Sequence, residues 1–122
     1  TDNSRPIFTL DGGHYGWTGL TLCHLPDRES DRVCWHQDWL DIPRGDWFQL
    51  EVYYERDRSD GTVIVWQDGI EVFNVTGYPT VLSDGTLYYS VNNYTDSIDP
   101  DVISIYIDDV AISYDRLSVN SD

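Results

Sequence analysis

A chain of 122 residues is most simply one domain over residues 1–122, long enough to bury a core without a metal or disulfide to staple it. It carries 22 Asp and Glu against 7 basic residues, all of them Arg, for a net charge of −15. That balance argues against nucleic acid and against an anionic membrane, because both need a basic footprint. Nor does any apolar run approach the roughly 20 residues of a membrane-spanning helix. The charge suits neutral sugars, cations such as calcium or a salty habitat, and solubility alone would also account for it.

Residues 1–6 are polar and end in Arg5-Pro6, a loose lead-in. The sequence begins at Thr1 without Met or a signal-peptide pattern, which reads as a mature chain, an excised domain or a fragment. Residues 7–10 form a short strand, stopped by Asp11-Gly12-Gly13. Residues 15–25 are rich in Thr, Leu and aromatics and broken at Gly16 and Gly19, where a bulge or close backbone approach fits. After the turn at 26–31, residues 33–36 return as a strand, so that Cys23 and Cys34 face each other across a hairpin. A disulfide is the favoured reading, suited to an oxidising compartment, and two buried thiols are the alternative. The protein is expected to be secreted. Two sequons, at Asn74 and Asn93, would accept glycans in a eukaryote.

Residues 35–47 are dense in Trp and Asp without clear periodicity, and Pro43 and Gly45 break them. The stretch 45–73, GDWFQLEVYYERDRSDGTVIVWQDGIEVF, organises the chain. Strands over 47–55, 62–67 and 70–75 are separated by Asp60-Gly61 and Asp68-Gly69, and Asp-Gly between apolar runs signals a β-hairpin because both residues tolerate positive φ. Residues 76–84 connect onward, 86–92 make another strand, 93–101 a loop and 102–113 a last strand. No window keeps a helical apolar rhythm, so the predicted class is all-β, an antiparallel sandwich or jelly roll.

Strand alternation divides residues 47–55 into an apolar side (Phe48, Leu50, Val52, Tyr54) and a mixed side (Trp47, Gln49, Glu51, Tyr53, Glu55). Residues 86–92 divide in the same way. Aromatic rings cover the C–H faces of pyranoses while amides, hydroxyls and carboxylates meet the ring hydroxyls. The expected carbohydrate-binding residues are therefore Trp47, Gln49, Glu51, Tyr53, Trp66, Tyr88, Asn92 and Tyr106, although an ordinary solvated face has the same pattern. Ile64 and Trp66 share a side that only strand register can assign. In the last strand the apolar phase switches at Asp108-Asp109, which suggests a β-bulge re-aiming a carboxylate. Calcium held by Asp108, Asp109 and Asp11 is one reading of that switch. Its alternative is one Asp bonded to backbone and the other exposed.

The 45–73 stretch followed by ISIYIDDVAIS resembles the C-terminal part of concanavalin A-like jelly rolls, most closely the polysaccharide lyase-like and laminarin-lyase-type group. The shared features are a tryptophan-led strand, a DG-x-x-x-x-W-x-DG hairpin and a closing Y-I-D-D-V strand, together about half the chain. The resemblance implies a compact jelly roll or the C-terminal portion of a larger one, a concave sheet that binds or cleaves polysaccharide, and in some members a structural calcium.

No catalytic residue is assigned. Glu51 and Glu55 share a face but lie roughly 13 Å apart along a strand, beyond the spacing of hydrolase carboxylates. A lyase would need a base, with His14, His24, His36, Tyr53 and Tyr88 available, and a cation such as Arg44. The Arg, Gln-x-His and Tyr-Lys pattern of alginate-lyase-like enzymes is absent. Zinc at Cys23, His24, Cys34 and His36 is disfavoured because neighbouring strand residues point to opposite faces. The expected function is non-catalytic polysaccharide binding. The alternatives are a polysaccharide lyase or a fragment of one, and an assembly domain that buries the same face against a homo-oligomeric partner or a missing complementary segment.

Overall fold

The computed structural model describes residues 7–12, 16–25, 31–81 and 106–114. The chain divides into two units, Thr1–Tyr88 and Tyr89–Asp122. Among the described residues the first holds six strands: β1 (Phe8–Gly12), β2 (Leu20–His24), β3 (Val33–His36), β4 (Leu50–Glu55), β5 (Gly61–Gln67) and β6 (Ile70–Tyr78). They form two antiparallel three-stranded sheets, β1-β2-β3 and β4-β5-β6, with no α-helix among the described residues. The all-β class expected from the sequence is the one observed.

Both sheets contribute to one core. Leu20 and Leu22 of β2 join Val63 and Val65 of β5 and Val72, Phe73 and Val75 of β6. Burying an aliphatic or Phe side chain of this kind contributes roughly 1.5–3 kcal/mol. Around this centre the sheets meet through rings. Phe8 packs edge-on against Tyr54 at 6.2 Å, and Tyr78 lies 5.1 Å from His24 and 5.3 Å from Trp35.

In the first sheet, β2 is buried on both faces. Leu20, Leu22 and His24 face the core, while Thr21 and Cys23 on the opposite side are also fully buried. Cys23 is the register partner of Cys34, with Cα atoms 4.1 Å apart, and the two form the disulfide. Closing an 11-residue separation in this way stabilises the fold by about 3 kcal/mol on the chain-entropy account.

In the second sheet, Asp68 (φ 49°) and Gly69 (φ 80°) make the tight β5–β6 turn that the dipeptide predicts. β6 continues to Tyr78, three residues past the expected end, by means of two irregularities in register. Thr62 pairs with Thr76 but Gly61 with Tyr78, leaving Gly77 as the extra residue, and its φ of 90° suits glycine. Val65 pairs with Phe73 but Trp66 with Glu71, leaving Val72 extra, so that Val72 and Phe73 are both buried although adjacent.

Asp60-Gly61 behaves differently. The β4–β5 connection is the five residues 56–60, and neither Asp60 nor Gly61 has positive φ. The Asp57 carboxylate organises this loop by accepting the Ser59 and Asp60 amides at 2.9 and 2.8 Å. Those two bonds hold its carboxyl below the usual carboxylate range. Thr80, fully buried beyond β6, closes the loop from outside. Its hydroxyl donates to Glu55 O at 2.6 Å and accepts the Asp57 amide at 2.8 Å, while its own amide donates to Asp57 O. Its carbonyl accepts the Tyr54 hydroxyl at 2.6 Å.

β4 begins at Leu50 and not at Trp47. One rung of the ladder is replaced before that point, because Asp68 N donates to Gln49 O while the Gln49 amide donates to the Asp68 carboxylate. The aperiodic 37–49 segment is held by side chains reaching backbone and by one backbone hydrogen bond. Gln37 brackets Leu40 through both amide atoms, Gln67 Nε2 donates to Asp41 O, and Ile42 N donates to Thr18 O.

In the second unit the described residues 106–114 are exposed and form no strand, which corrects that part of the strand expected over 102–113. Alternating Ile and Val supply strand propensity, but a strand also needs a partner's ladder. The phase switch is a local kink instead of a bulge: Asp109 adopts φ 55° and its amide donates to its neighbour's carboxylate, Asp108 Oδ1, at 2.8 Å. Residues 102–105, and the strand expected over 86–92, lie outside the described residues.

Candidate functional site

The register of β4, β5 and β6 settles which side chains share the face turned away from the core. Alternation along β5 buries Val63, Val65 and Gln67 and leaves Thr62, Ile64 and Trp66 partly exposed on the other side. Pairing then builds three rows across the sheet: Glu51, Trp66 and Glu71; Tyr53, Ile64 and Asn74; Glu55, Thr62 and Thr76. The face is thus two aromatic rings and one isoleucine set among three carboxylates, an amide and two threonines. Tyr53 keeps 46% of its surface exposed and donates its hydroxyl to Glu55 Oε2 at 3.2 Å. That hydrogen bond and the carboxylate charge push the phenol pKa up, so the proton stays on Tyr53. Thr62 and Thr76 join their hydroxyls at 3.0 Å.

Three of the expected binding residues, Glu51, Tyr53 and Trp66, therefore stand together on one face. Trp47 and Gln49 do not extend that ladder as strand residues; both lie exposed in the segment before β4. Tyr106 is exposed in the other unit, and Tyr88 and Asn92 lie outside the described residues. Sequence reading missed Thr62, Glu71, Asn74 and Thr76 as members of this face and left the side shared by Ile64 and Trp66 unassigned. The signal was present: the Asp68-Gly69 turn fixes the β5–β6 register at its near end. The bulge at Val72 then shifts the phase, which alternation alone does not reveal.

Beside this face, between β3 and β6, runs an open groove lined by Trp35 and His36 of β3 and by β6 from Val72 to Thr76 with Tyr78. His36 is stacked on Trp17, with ring centroids 4.6 Å apart and planes within 7°, and its Nδ1 hydrogen-bonds the Thr21 hydroxyl. His24 is buried between Phe8 and Tyr78, a packing position. His14 lies outside the described residues, and Arg44 is exposed in the 37–49 segment. Among the described residues no three His, Cys, Asp or Glu side chains gather where they could hold a metal ion. Asp11, expected beside Asp108 and Asp109 at a calcium, belongs to the first unit and the other two to the second. The Asp11 carboxylate accepts the Thr9 hydroxyl at 3.2 Å.

Neither family models, curated proteins nor solved structures give a match to this chain.

Proposed function

We propose that the protein binds carbohydrate through the outer face of β4-β5-β6 and does not turn it over. One observation carries this reading: strand register brings Tyr53, exposed, and Trp66, part-exposed, to the same face as three carboxylates, an amide and two hydroxyls. Ring faces satisfy the C–H side of a pyranose, and polar groups at strand spacing meet its hydroxyls. Two antiparallel sheets sharing a core support a jelly-roll sandwich as the finer fold. The Cys23–Cys34 disulfide supports an oxidising, extracellular setting. Affinity electrophoresis over a panel of polysaccharides tests the function. Wild type should be retarded by at least one polymer, and Trp66→Ala or Tyr53→Ala should weaken that retention about tenfold, the scale of one aromatic contact. Retention by none of them would remove the reading. A rise in ultraviolet absorbance with a uronate polymer would establish the lyase alternative in its place.

A second observation favours an assembly role. Leu50 and Val52 are on the core side of β4, as the sequence alternation requires, yet 42% and 46% of their surfaces are exposed. A partner chain covering that margin would bury them, and the solution mass reports it.

A further inference from the structure

The Cys23–Cys34 bond joins two residues that the ladder already pairs, on a strand that adds little to the core. β3 is four residues long and bonds only to β2 among the described residues. The buried side chains of the core cluster come from β2, β5 and β6, and from β3 only Trp35 packs against them, partly buried. The two sulfurs also differ in their surroundings. Cys23 has no exposed surface, whereas Cys34 is partly exposed. Nη2 of Arg32, itself an exposed residue, lies 3.8 Å from Cys23 Sγ.

Thiol–disulfide exchange needs one sulfur that can be attacked and another that can leave as a stabilised thiolate. Here the two requirements fall on different residues. An incoming thiolate reaches Cys34 Sγ and not its buried partner, and Cys23 departs with the electron pair beside a guanidinium, a setting that favours the thiolate. We propose that the Cys23–Cys34 bond is a reducible latch on β3: a dithiol reductant opens it at Cys34, and β3 loosens while the other strands of the first unit stay folded. In the first step a sulfur of the reductant bonds to Cys34 Sγ as the Cys23–Cys34 bond breaks. The reductant's second thiolate then closes on its first sulfur and releases Cys34 as a thiolate, which takes a proton from water. The reductant ends as a disulfide and the protein as a dithiol. In an oxidising compartment the latch is shut. Trp35 and His36, the next two residues of β3, line the groove facing β6, so opening the latch loosens one wall of that groove.

The test treats the full chain with dithiothreitol at neutral pH without denaturant, counting free thiols by alkylation and mass spectrometry. Both thiols should appear while the circular dichroism spectrum is retained. Backbone hydrogen exchange should then rise about tenfold over residues 33–36 while β5 and β6 keep their protection. Arg32→Gln should slow the reduction about threefold, the scale of one exposed charge contact. Arg44→Gln removes the same charge from another exposed position and should leave the rate unchanged. With excess 2-mercaptoethanol quenched by iodoacetamide, the mixed disulfide should map to Cys34 and the alkyl group to Cys23. Reduction only after denaturant is added, or loss of protection in β5 and β6 together with β3, would make the bond a structural staple and overturn the latch. Unchanged exchange over residues 33–36 in the reduced chain would overturn it equally. A mixed disulfide on Cys23, or an Arg32→Gln rate no lower than that of Arg44→Gln, would overturn the direction of exchange assigned to the two sulfurs.

Discussion

Two connections in the second sheet carry the same dipeptide and use it for opposite ends. At Asp68-Gly69 both residues take positive φ and the chain reverses in two residues, so glycine is there for its backbone freedom. At Asp60-Gly61 the chain reverses in the five residues before β5, and glycine is there because it lacks a side chain. A Cβ on Gly61 would collide with the Thr80 side chain and lie 2.8 Å from Glu55 O. The first connection is local and needs nothing from elsewhere. The second depends on Thr80, 25 residues beyond Glu55 in the chain, whose hydroxyl and backbone tie down both ends of the loop. One short sequence signal thus covers two physical needs, and only the local one can be read without the fold.

The largest effect should come from the distant tie. Thr80→Val keeps the shape but leaves Glu55 O and the Asp57 amide without their hydroxyl, and should cost about 3 kcal/mol in chemical denaturation, the sum of two part-buried groups losing their partner. Gly61→Ala should cost about 2 kcal/mol by overpacking against that same residue. Combining the two tests whether they act as one unit, since residues in contact give non-additive losses. Gly69→Ala should cost only about 1 kcal/mol, the backbone penalty of positive φ in open space. A Gly69→Ala loss as large as that of Gly61→Ala would break the comparison.

The pH dependence sharpens it further. Burial pushes the Tyr54 pKa from 10.0 to about 12 while its hydroxyl donates to Thr80 O. A raised acid pKa means that the folded state holds its proton longer than the unfolded state, so this contribution is complete below pH 10 and is lost as pH rises towards 12. Tyr54→Phe should flatten that alkaline loss in a melting series and, at neutral pH, cost about 1 kcal/mol for the hydrogen bond. Asp57 runs the other way. Its lowered pKa makes its contribution present above the ordinary carboxylate range and lost on acidification through the folded value. Asp57→Asn, which keeps an acceptor oxygen for the Ser59 and Asp60 amides, should show the smallest change of the series at neutral pH and a weaker acid loss.

For the candidate site, alternation in the sequence separated Glu51 and Tyr53 from Leu50 and Val52 correctly, because side chains on a strand change face at every residue. It placed Ile64 with Trp66 but could not join that pair to Glu51 and Tyr53, since joining them requires the β4–β5 register. It treated Trp47 as the start of the platform, yet strand propensity does not decide where a ladder ends. Here a carboxylate from the turn takes the place of one backbone acceptor at Gln49.

The sequence by itself determined the all-β class, the Asp68-Gly69 hairpin, the β2–β3 return that pairs Cys23 with Cys34, and the two-sidedness of β4 and β5. Each of these rests on forces between residues near one another in the chain: a φ preference, a period of two, a short loop. The tertiary structure alone decided that Gly61 yields its side-chain space to Thr80, that the Val72 and Gly77 irregularities re-phase β6, and that Glu71 and Asn74 join Tyr53 and Trp66 on one face. Those outcomes come from steric fit and pairing between segments far apart in sequence, whose mutual register is not written in either segment alone.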